Sequence, residues 1–150
     1  AEPWDEKGVS LSPSGRWIAY ESTETGRDEI YVRPFPDADA GKWQVSVSGG
    51  FNPKWARSED ELFFVNSSGE MVAAQVQTGG DAFRVGERRT LFSVGTRFLN
   101  AQPNYASWDV GLDDERFLML QIGGSADGDV SELIVVQNFF EILRERVGGS

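Results

Sequence analysis

A short turn pattern occurs three times along the chain, and each copy leads into an apolar, aromatic run. The copies span residues 12–20, 56–64 and 111–119. The first two start 44 residues apart, and self-similarity at about 40–45 residues is typical of stacked four-stranded β-propeller blades. Each copy places turn-forming residues before its apolar run, which predicts a tight turn that enters a strand of an antiparallel sheet.

These signals predict an all-β fold of about three four-stranded antiparallel β-propeller blades with a short C-terminal helix. The partial propeller spans residues 1–147, and its blades cover about residues 8–48, 50–93 and 104–138. The helix is predicted over residues 139–147, because Asn138 can cap it and its apolar side chains share one face. Residues 148–150 are interpreted as a tail or linker.

The outer strands are the least regular part of the pattern. Trp43–Val47 alternates large apolar with polar residues and is predicted as the outer strand of the first blade. In the second blade the outer strand is predicted near Arg89–Phe92, because Gly86 interrupts the pattern before it. No fourth strand follows the third unit, so the third blade either lacks its outer strand or receives one, for example from Ala1–Trp4.

The composition excludes several classes of function. A net charge of −10 repels phosphate backbones and anionic membrane surfaces, so we expect no nucleic-acid partner. No apolar stretch approaches the roughly 18 residues that span a bilayer, so we expect a soluble chain without membrane insertion. Histidine and cysteine are both absent, which removes the commonest general base, the commonest zinc ligand and any thiol nucleophile. We therefore expect neither enzyme activity nor a cofactor.

The first turn resembles that of a known propeller family. Residues 12–16, Ser-Pro-Ser-Gly-Arg, and the apolar strand ending at Tyr20 are similar to the WD40-like, TolB-type β-propeller repeat, whose turn reads Ser-Pro-Asp-Gly-Arg/Lys. The similarity covers about residues 9–147 and extends to C-terminal propellers of bacterial signalling proteins. This sequence departs from the pattern at Ser14, where the family has aspartate, and over residues 57–60. The resemblance implies a non-catalytic sensor or docking module.

Three blades do not close a ring, because propellers close with four to eight blades. Each open blade face would present aromatic side chains that pack on a neighbour in a closed ring, namely Trp17, Tyr20, Trp55 and Phe64. Leaving such a face open forfeits on the order of 10 kcal/mol at about 25 cal/mol per Å². We therefore predict a homodimer that forms a six-bladed ring. The alternative is that these residues belong to a longer propeller.

Acidic residues cluster at three places. The clusters at Asp113-Asp114 and at residues 59–61 occupy the repeated turn and are interpreted as turn residues rather than as a catalytic pair. Asp127 and Asp129 supply oxygen ligands of the type that calcium accepts, but they lack the twelve-residue loop of a calcium-binding hand. We interpret them as part of a flexible acidic loop and predict no metal site.

The longest segment outside the repeats joins the second and third units, over residues 96–104. Loops on a rigid scaffold commonly carry recognition, so this loop supplies the candidate binding residues Arg97, Phe98, Gln102 and Asn104. The function predicted is a non-catalytic module that binds a protein or peptide. Two alternatives stay open: a gating propeller from a peptidase-type enzyme whose catalytic domain is absent, and a self-assembling structural domain.

Overall fold

The computed structural model describes residues 5–79, 82–94, 107–122 and 131–136, with the backbone alone for residues 121–122 and 131–136. These residues form strands and one 3₁₀ turn. In chain order they are β1 (Glu6–Leu11), β2 (Trp17–Ser22), β3 (Glu29–Pro34), the 3₁₀ turn (Ala38–Ala40), β4 (Trp43–Gln44), β5 (Phe51–Trp55), β6 (Glu61–Val65), β7 (Glu70–Gln77), β8 (Arg84–Ser93), β9 (Trp108–Val110), β10 (Phe117–Ile122) and β11 (Ser131–Val136).

The strands form three antiparallel sheets that follow one another along the chain. Sheet 1 is β1-β2-β3-β4, sheet 2 is β5-β6-β7-β8, and sheet 3 contains β9-β10-β11. Within each sheet every strand pairs with its neighbour in sequence, as hairpin connections favour. The all-β prediction is confirmed for the described residues, which contain no α-helix. The predicted helix over 139–147 and the tail over 148–150 lie outside them.

The three sequence repeats form the same turn. The amide of Ser12 donates to the carbonyl of Trp17 at 2.8 Å, and the equivalent bonds begin at Ala56 and Gly111. Gly15, Glu59 and Asp114 occupy the same position in the three turns, each with a positive φ. Residues 44 apart in sheets 1 and 2, and 55 apart in sheets 2 and 3, are therefore structurally equivalent.

Carboxylates at this left-handed position link consecutive turns. Glu59 accepts hydrogen bonds from the backbone amide and the hydroxyl of Ser14, at 2.8 and 2.7 Å. One repeat later, Asp114 accepts from the amides of Arg57 and Ser58, at 2.6 and 3.0 Å. A positive φ is uncommon for glutamate. Glu59 and Asp114, which were predicted to be turn residues, are thus turn residues that also bond the turn of the preceding sheet. Glu61, predicted with them, is instead the first residue of β6.

Two apolar cores lie between the sheets. Trp17, Ile30 and Val32 of sheet 1 pack with Trp55 and the apolar face of sheet 2 that carries Leu62 and Phe64. The opposite face of sheet 2 packs against sheet 3 in a core whose largest members are Phe63, Met71, Trp108, Phe117 and Met119. Alternate residues of one strand thus enter different cores, as the period of two requires. Sheet 2 is buried on both faces.

The prediction that Trp17, Tyr20, Trp55 and Phe64 mark open faces is wrong. All four side chains are buried, at 5% exposure or less. Trp17, Trp55 and Phe64 belong to the core between sheets 1 and 2. Tyr20 lies on the other face of sheet 1, where Arg33 donates to its hydroxyl at 2.7 Å and lies over its ring. The contact between sheets 1 and 2 therefore covers Trp17, Trp55 and Phe64 within a single chain.

Both predicted outer strands have different limits in the structure. β4 ends at Gln44 instead of Val47, because the Ser46 hydroxyl accepts the Ile30 amide at 2.7 Å in place of a backbone carbonyl. β8 begins at Arg84, well before Arg89. Gly86 lies inside β8, where the register shifts between Ala74 and Val76. The glycine therefore marks a bulge within a long strand and does not interrupt it.

Candidate binding site

The binding residues predicted from the sequence cannot be placed on the fold. Arg97, Phe98, Gln102 and Asn104 lie in residues 95–106, outside the described residues. Asp127 and Asp129 lie outside them as well. Among the residues that are described, no group of three or more histidine, cysteine, aspartate or glutamate side chains is placed to hold a metal ion. The same part of the chain contains no helix with the length and apolarity needed to span a membrane.

A cleft opens between sheets 1 and 2. It lies beside residues 45–50, which we call the crossover because they lead from β4 of sheet 1 to β5 of sheet 2. Its volume is about 140 Å³. Phe64 and Val72, both from the sheet 2 face that looks toward sheet 1, contribute buried apolar surface. The remaining lining comes from the crossover and from the outer part of sheet 2, namely Val47, Ser48, Gly49, Asn66, Arg88 and Thr90.

The crossover wall of the cleft is fixed by a buried carboxylate. Glu29 is fully buried and accepts hydrogen bonds from the Ser46 hydroxyl, from the Gly49 amide at 3.2 Å and from Arg27 Nε at 2.6 Å. Gly49 has φ +82°, and a Cβ there would collide with the Ser67 hydroxyl. Glycine is therefore required at this point, both for the backbone conformation and for the close approach of the neighbouring turn.

The opposite side of the cleft is fixed by side chains of sheet 2. Arg88 on β8 donates from Nε to the Val45 carbonyl at 2.5 Å, which ties the outer strand of sheet 2 to the crossover. Asn66 accepts the amides of Ser68 and Glu70, both at 3.0 Å, and donates to the Glu70 carboxylate at 2.9 Å. These bonds hold the hairpin turn that closes one end of the cleft. Both walls are thus set by hydrogen bonds within the chain.

The size of the cleft limits what it can hold. Sites for cofactors and drug-sized ligands measure about 300–1,000 Å³, whereas this cleft has room for about four or five water molecules at about 30 Å³ each. One aliphatic side chain is an occupant of suitable size. Val47 is 57% exposed at the rim and extends the apolar surface outward. Arg88 supplies the positive charge in the lining, which favours an acidic group beside the apolar one.

Sequence reasoning did not find this cleft. Its lining comes from four separate segments, at residues 47–49, 64–66, 72 and 88–90. The one sequence signal near it is the glycine pair Gly49-Gly50, which marks the crossing between the first two units. Glycines at a crossing predict a turn, but they do not say which side chains meet there.

A second polar cluster lies near the start of β1. Glu21 is 3% exposed and accepts the Asn52 amide at 2.7 Å, and its other oxygen lies 4.0 Å from Lys7. Lys7 pairs more closely with Asp28, at 3.0 Å. Burial raises the pKa of the Glu21 carboxyl above its ordinary value, although the Asn52 amide and Lys7 both favour the charged form. This cluster joins β1 and β2 to β5 and fixes the contact between sheets 1 and 2.

The raised pKa of Glu21 predicts a pH dependence of stability. The folded chain binds this proton more tightly than the unfolded chain, so the contribution of Glu21 is fully present below the unfolded pKa and is lost as pH rises through the folded pKa. Wild type is compared with Glu21→Gln by subtracting the free energy of unfolding of the variant from that of wild type. We expect this difference to fall as pH rises above the ordinary glutamate pKa. Urea unfolding of both proteins across this range measures the difference. A difference that is flat or that rises with pH would contradict the expectation.

Comparison with known proteins places the fold. No protein-family profile and no curated protein matches the chain. An oligogalacturonate lyase from Vibrio parahaemolyticus superposes with a TM-score of 0.54 at 14% identity, over 75% of this chain and 27% of the lyase. A manganese complex of oligogalacturonate lyase gives the same values. TolB from Acinetobacter baumannii gives a TM-score of 0.43 at 14% identity, over 89% of this chain and 41% of TolB.

The chain therefore spans 27–41% of the length of these proteins. At 14% identity the likeness concerns the fold alone. Oligogalacturonate lyase is a β-propeller protein, and its superposition covers most of the present chain. The three sheets of this chain are successive blades of a β-propeller, as the repeated turn predicts.

Proposed function

We propose that the chain is a non-catalytic binding module that holds a protein or peptide partner. The observation that carries this proposal is the cleft between sheets 1 and 2, with its apolar surface, its polar rim and room for about one side chain. Such a site anchors one residue of a larger partner, which makes its other contacts on the surrounding surface.

The chemistry of the rim narrows the class of partner. Phe64, Val72 and the exposed Val47 favour an aliphatic side chain at the anchor position. Arg88 favours a carboxylate close to that side chain, either from a neighbouring acidic residue or from a chain terminus. We therefore propose a peptide segment in which an aliphatic residue stands next to an acidic group.

The proposed function includes self-association. Two chains with three blades each make a six-bladed ring, which lies within the range of four to eight blades that propellers use. A closed pair with twofold symmetry is the commonest arrangement of identical subunits. The ring gives the clefts of both copies fixed positions on one rigid scaffold, so the pair presents two equivalent sites to a partner.

Filling the cleft tests the binding proposal. Thr90 lines the cleft and is exposed on β8, so Thr90→Tyr places a ring over the site with little effect on the core. The probe is a phage-displayed library of random linear peptides, selected on the wild-type protein. We expect selected peptides to share an aliphatic residue beside an acidic one, and Thr90→Tyr to weaken their binding by about tenfold or more.

The matched control is Thr25→Tyr, which adds the same ring at an exposed loop of sheet 1 that does not line the cleft. Fluorescence anisotropy with a labelled selected peptide gives the dissociation constants of all three proteins. Equal affinities for Thr90→Tyr and Thr25→Tyr would contradict the cleft as the site. A library that yields no enriched peptide would contradict peptide binding by this chain.

A further inference from the structure

The two ends of the row of sheets show what each sheet is built to contact. We call the face that a sheet turns toward the next sheet its forward face, and the opposite face its rear face. On the forward face of sheet 2, Phe63 and Val65 are buried against sheet 3, at 2% and 0% exposure. The equivalent residues of sheet 3 are Leu118 and Leu120, which are 42% and 41% exposed. The forward face of sheet 3 thus carries the apolar pattern of an interior face.

On the rear face of sheet 1, Leu11 lacks the cover that its equivalents have, whereas Tyr20 and Tyr31 on the same face are buried, at 5% and 3% exposure. Leu11 at the end of β1 is 51% exposed. Its equivalents on the inner strands of the other two sheets are Trp55 and Val110, which are 5% and 6% exposed because each packs against the preceding sheet. Leu11 therefore occupies a position that the other two sheets bury in an inter-sheet core.

The repeated turns supply an independent observation. At both internal contacts, a neutral serine in one turn meets an acidic residue in the next, as Ser14 meets Glu59 and Ser58 meets Asp114. The turn of sheet 3 and the turn of sheet 1, at the two ends of the row, carry different residues at these two positions. Asp113 of sheet 3 stands where Ser14 and Ser58 stand in the other turns, and Gly15 of sheet 1 stands where the acidic residues stand.

The presence of Asp113 in place of a serine matters because like charges repel. If sheet 3 met a turn with a carboxylate at the left-handed position, that carboxylate would approach Asp113, whose two oxygens already accept from Arg116 at 2.7 Å and from the Glu115 amide at 3.2 Å. Gly15 carries no side chain, so the turn of sheet 1 avoids this repulsion. Of the three turns in this chain, the turn of sheet 1 is the one that suits the turn of sheet 3.

We propose that the forward face of sheet 3 docks on the rear face of sheet 1 of a second copy, with Asp113 beside Gly15 of that copy. The inference rests on the proposed self-association and names its surfaces. Twofold symmetry generates two such contacts, so both free ends of each chain are covered and the six sheets close into one ring. Leu118 and Leu120 then gain the burial that Phe63 and Val65 already have.

The test places a carboxylate at Gly15. A Cβ at this position meets nothing within 4 Å, and its φ of +71° resembles the φ of 58° that Asp114 adopts. Gly15→Asp is therefore expected to fold, which circular dichroism and urea unfolding check. We expect its dimer dissociation constant, measured by sedimentation velocity, to rise by about tenfold, because the new charge faces Asp113 at both contacts. Gly15→Asn, which adds a neutral side chain of the same size, should leave the constant within about twofold.

A second substitution provides a rescue. Asp113→Ser together with Gly15→Asp recreates the serine and acid pairing of the internal turns. We expect the double variant to associate at least as tightly as wild type, whereas additive weakening would contradict the arrangement. As a separate check on the apolar surface, Leu118→Asp should dissociate the pair. The control Gln77→Asp, at an exposed position of β7 in the middle sheet, should not.

The outcomes separate this inference from the proposed peptide binding. If wild type is a dimer but Gly15→Asp and Leu118→Asp associate normally, the named surfaces are wrong and self-association uses another face. If wild type is a single chain, a second copy does not cover the forward face of sheet 3, and the inference is overturned. Peptide selection on the cleft is read independently, because Thr90 lies on sheet 2 away from both free ends.

Discussion

Replacing Phe117 with alanine is expected to destabilise the chain by about 3–5 kcal/mol. Phe117 is 2% exposed, and its ring lies 5.1 Å from that of Phe63, 5.6 Å from that of Phe92 and 6.0 Å from that of Trp108. Together with Trp108, it supplies the aromatic rings of the described part of sheet 3 that lie in the core with sheet 2, so its loss leaves a cavity at that contact. Urea unfolding followed by tryptophan fluorescence measures the change in the free energy of unfolding.

The control for Phe117→Ala is Leu112→Ala, at a turn position that is 82% exposed. We expect it to change the free energy of unfolding by less than about 0.5 kcal/mol. Hydrogen exchange adds a local readout. Relative to wild type, Phe117→Ala should speed the exchange of the β10 amides more than that of the β2 and β3 amides. A loss below about 1 kcal/mol for Phe117→Ala would mean that sheet 3 does not pack on sheet 2 as described.

Replacing Glu29 with alanine is expected to cost about 2–4 kcal/mol, because a buried hydrogen-bonding group left without its partner costs about 1–3 kcal/mol. The substitution leaves the buried Gly49 amide and the Ser46 hydroxyl without their acceptor. Arg27 is largely solvent-exposed, so the loss of its ion pair adds little to this cost. Glu29→Gln keeps an acceptor oxygen and should retain part of the stability. Thermal and urea unfolding of both variants give the comparison.

The matched control for Glu29→Ala is Glu61→Ala. Glu61 pairs with Arg89 at 3.0 Å on the surface, where an ion pair contributes about 1 kcal/mol or less. A similar loss for the two alanine variants would show that the Glu29 network does not fix the crossover. Because this crossover forms one wall of the cleft, Glu29→Ala is also expected to weaken binding of the selected peptides.

The repeated turn was the part of the fold most open to prediction from the sequence. Proline, glycine, serine and acidic residues at fixed offsets from an apolar run specify the turn and the strand after it. The limits of the outer strands were not predictable in the same way. β4 ends because the Ser46 hydroxyl accepts the hydrogen bond of the Ile30 amide. β8 continues through Gly86 because a bulge accommodates the glycine. Both outcomes depend on contacts across the sheet.

The burial of the aromatic residues depended on which face of each strand meets which neighbour. The sequence alternation shows that Trp17 and Tyr20 lie on opposite faces of β2, but it does not say that sheet 2 covers Trp17. The cleft was missed for the same reason, because its lining comes from separate segments. The contacts of Glu59 with the preceding turn were missed because glutamate rarely adopts the left-handed conformation.

Sedimentation equilibrium of the unmodified chain at micromolar concentration tests the proposal that a second copy completes the three blades of one chain. We expect a particle of twice the chain mass of 16.6 kDa. A monodisperse particle of 16.6 kDa at that concentration would contradict it.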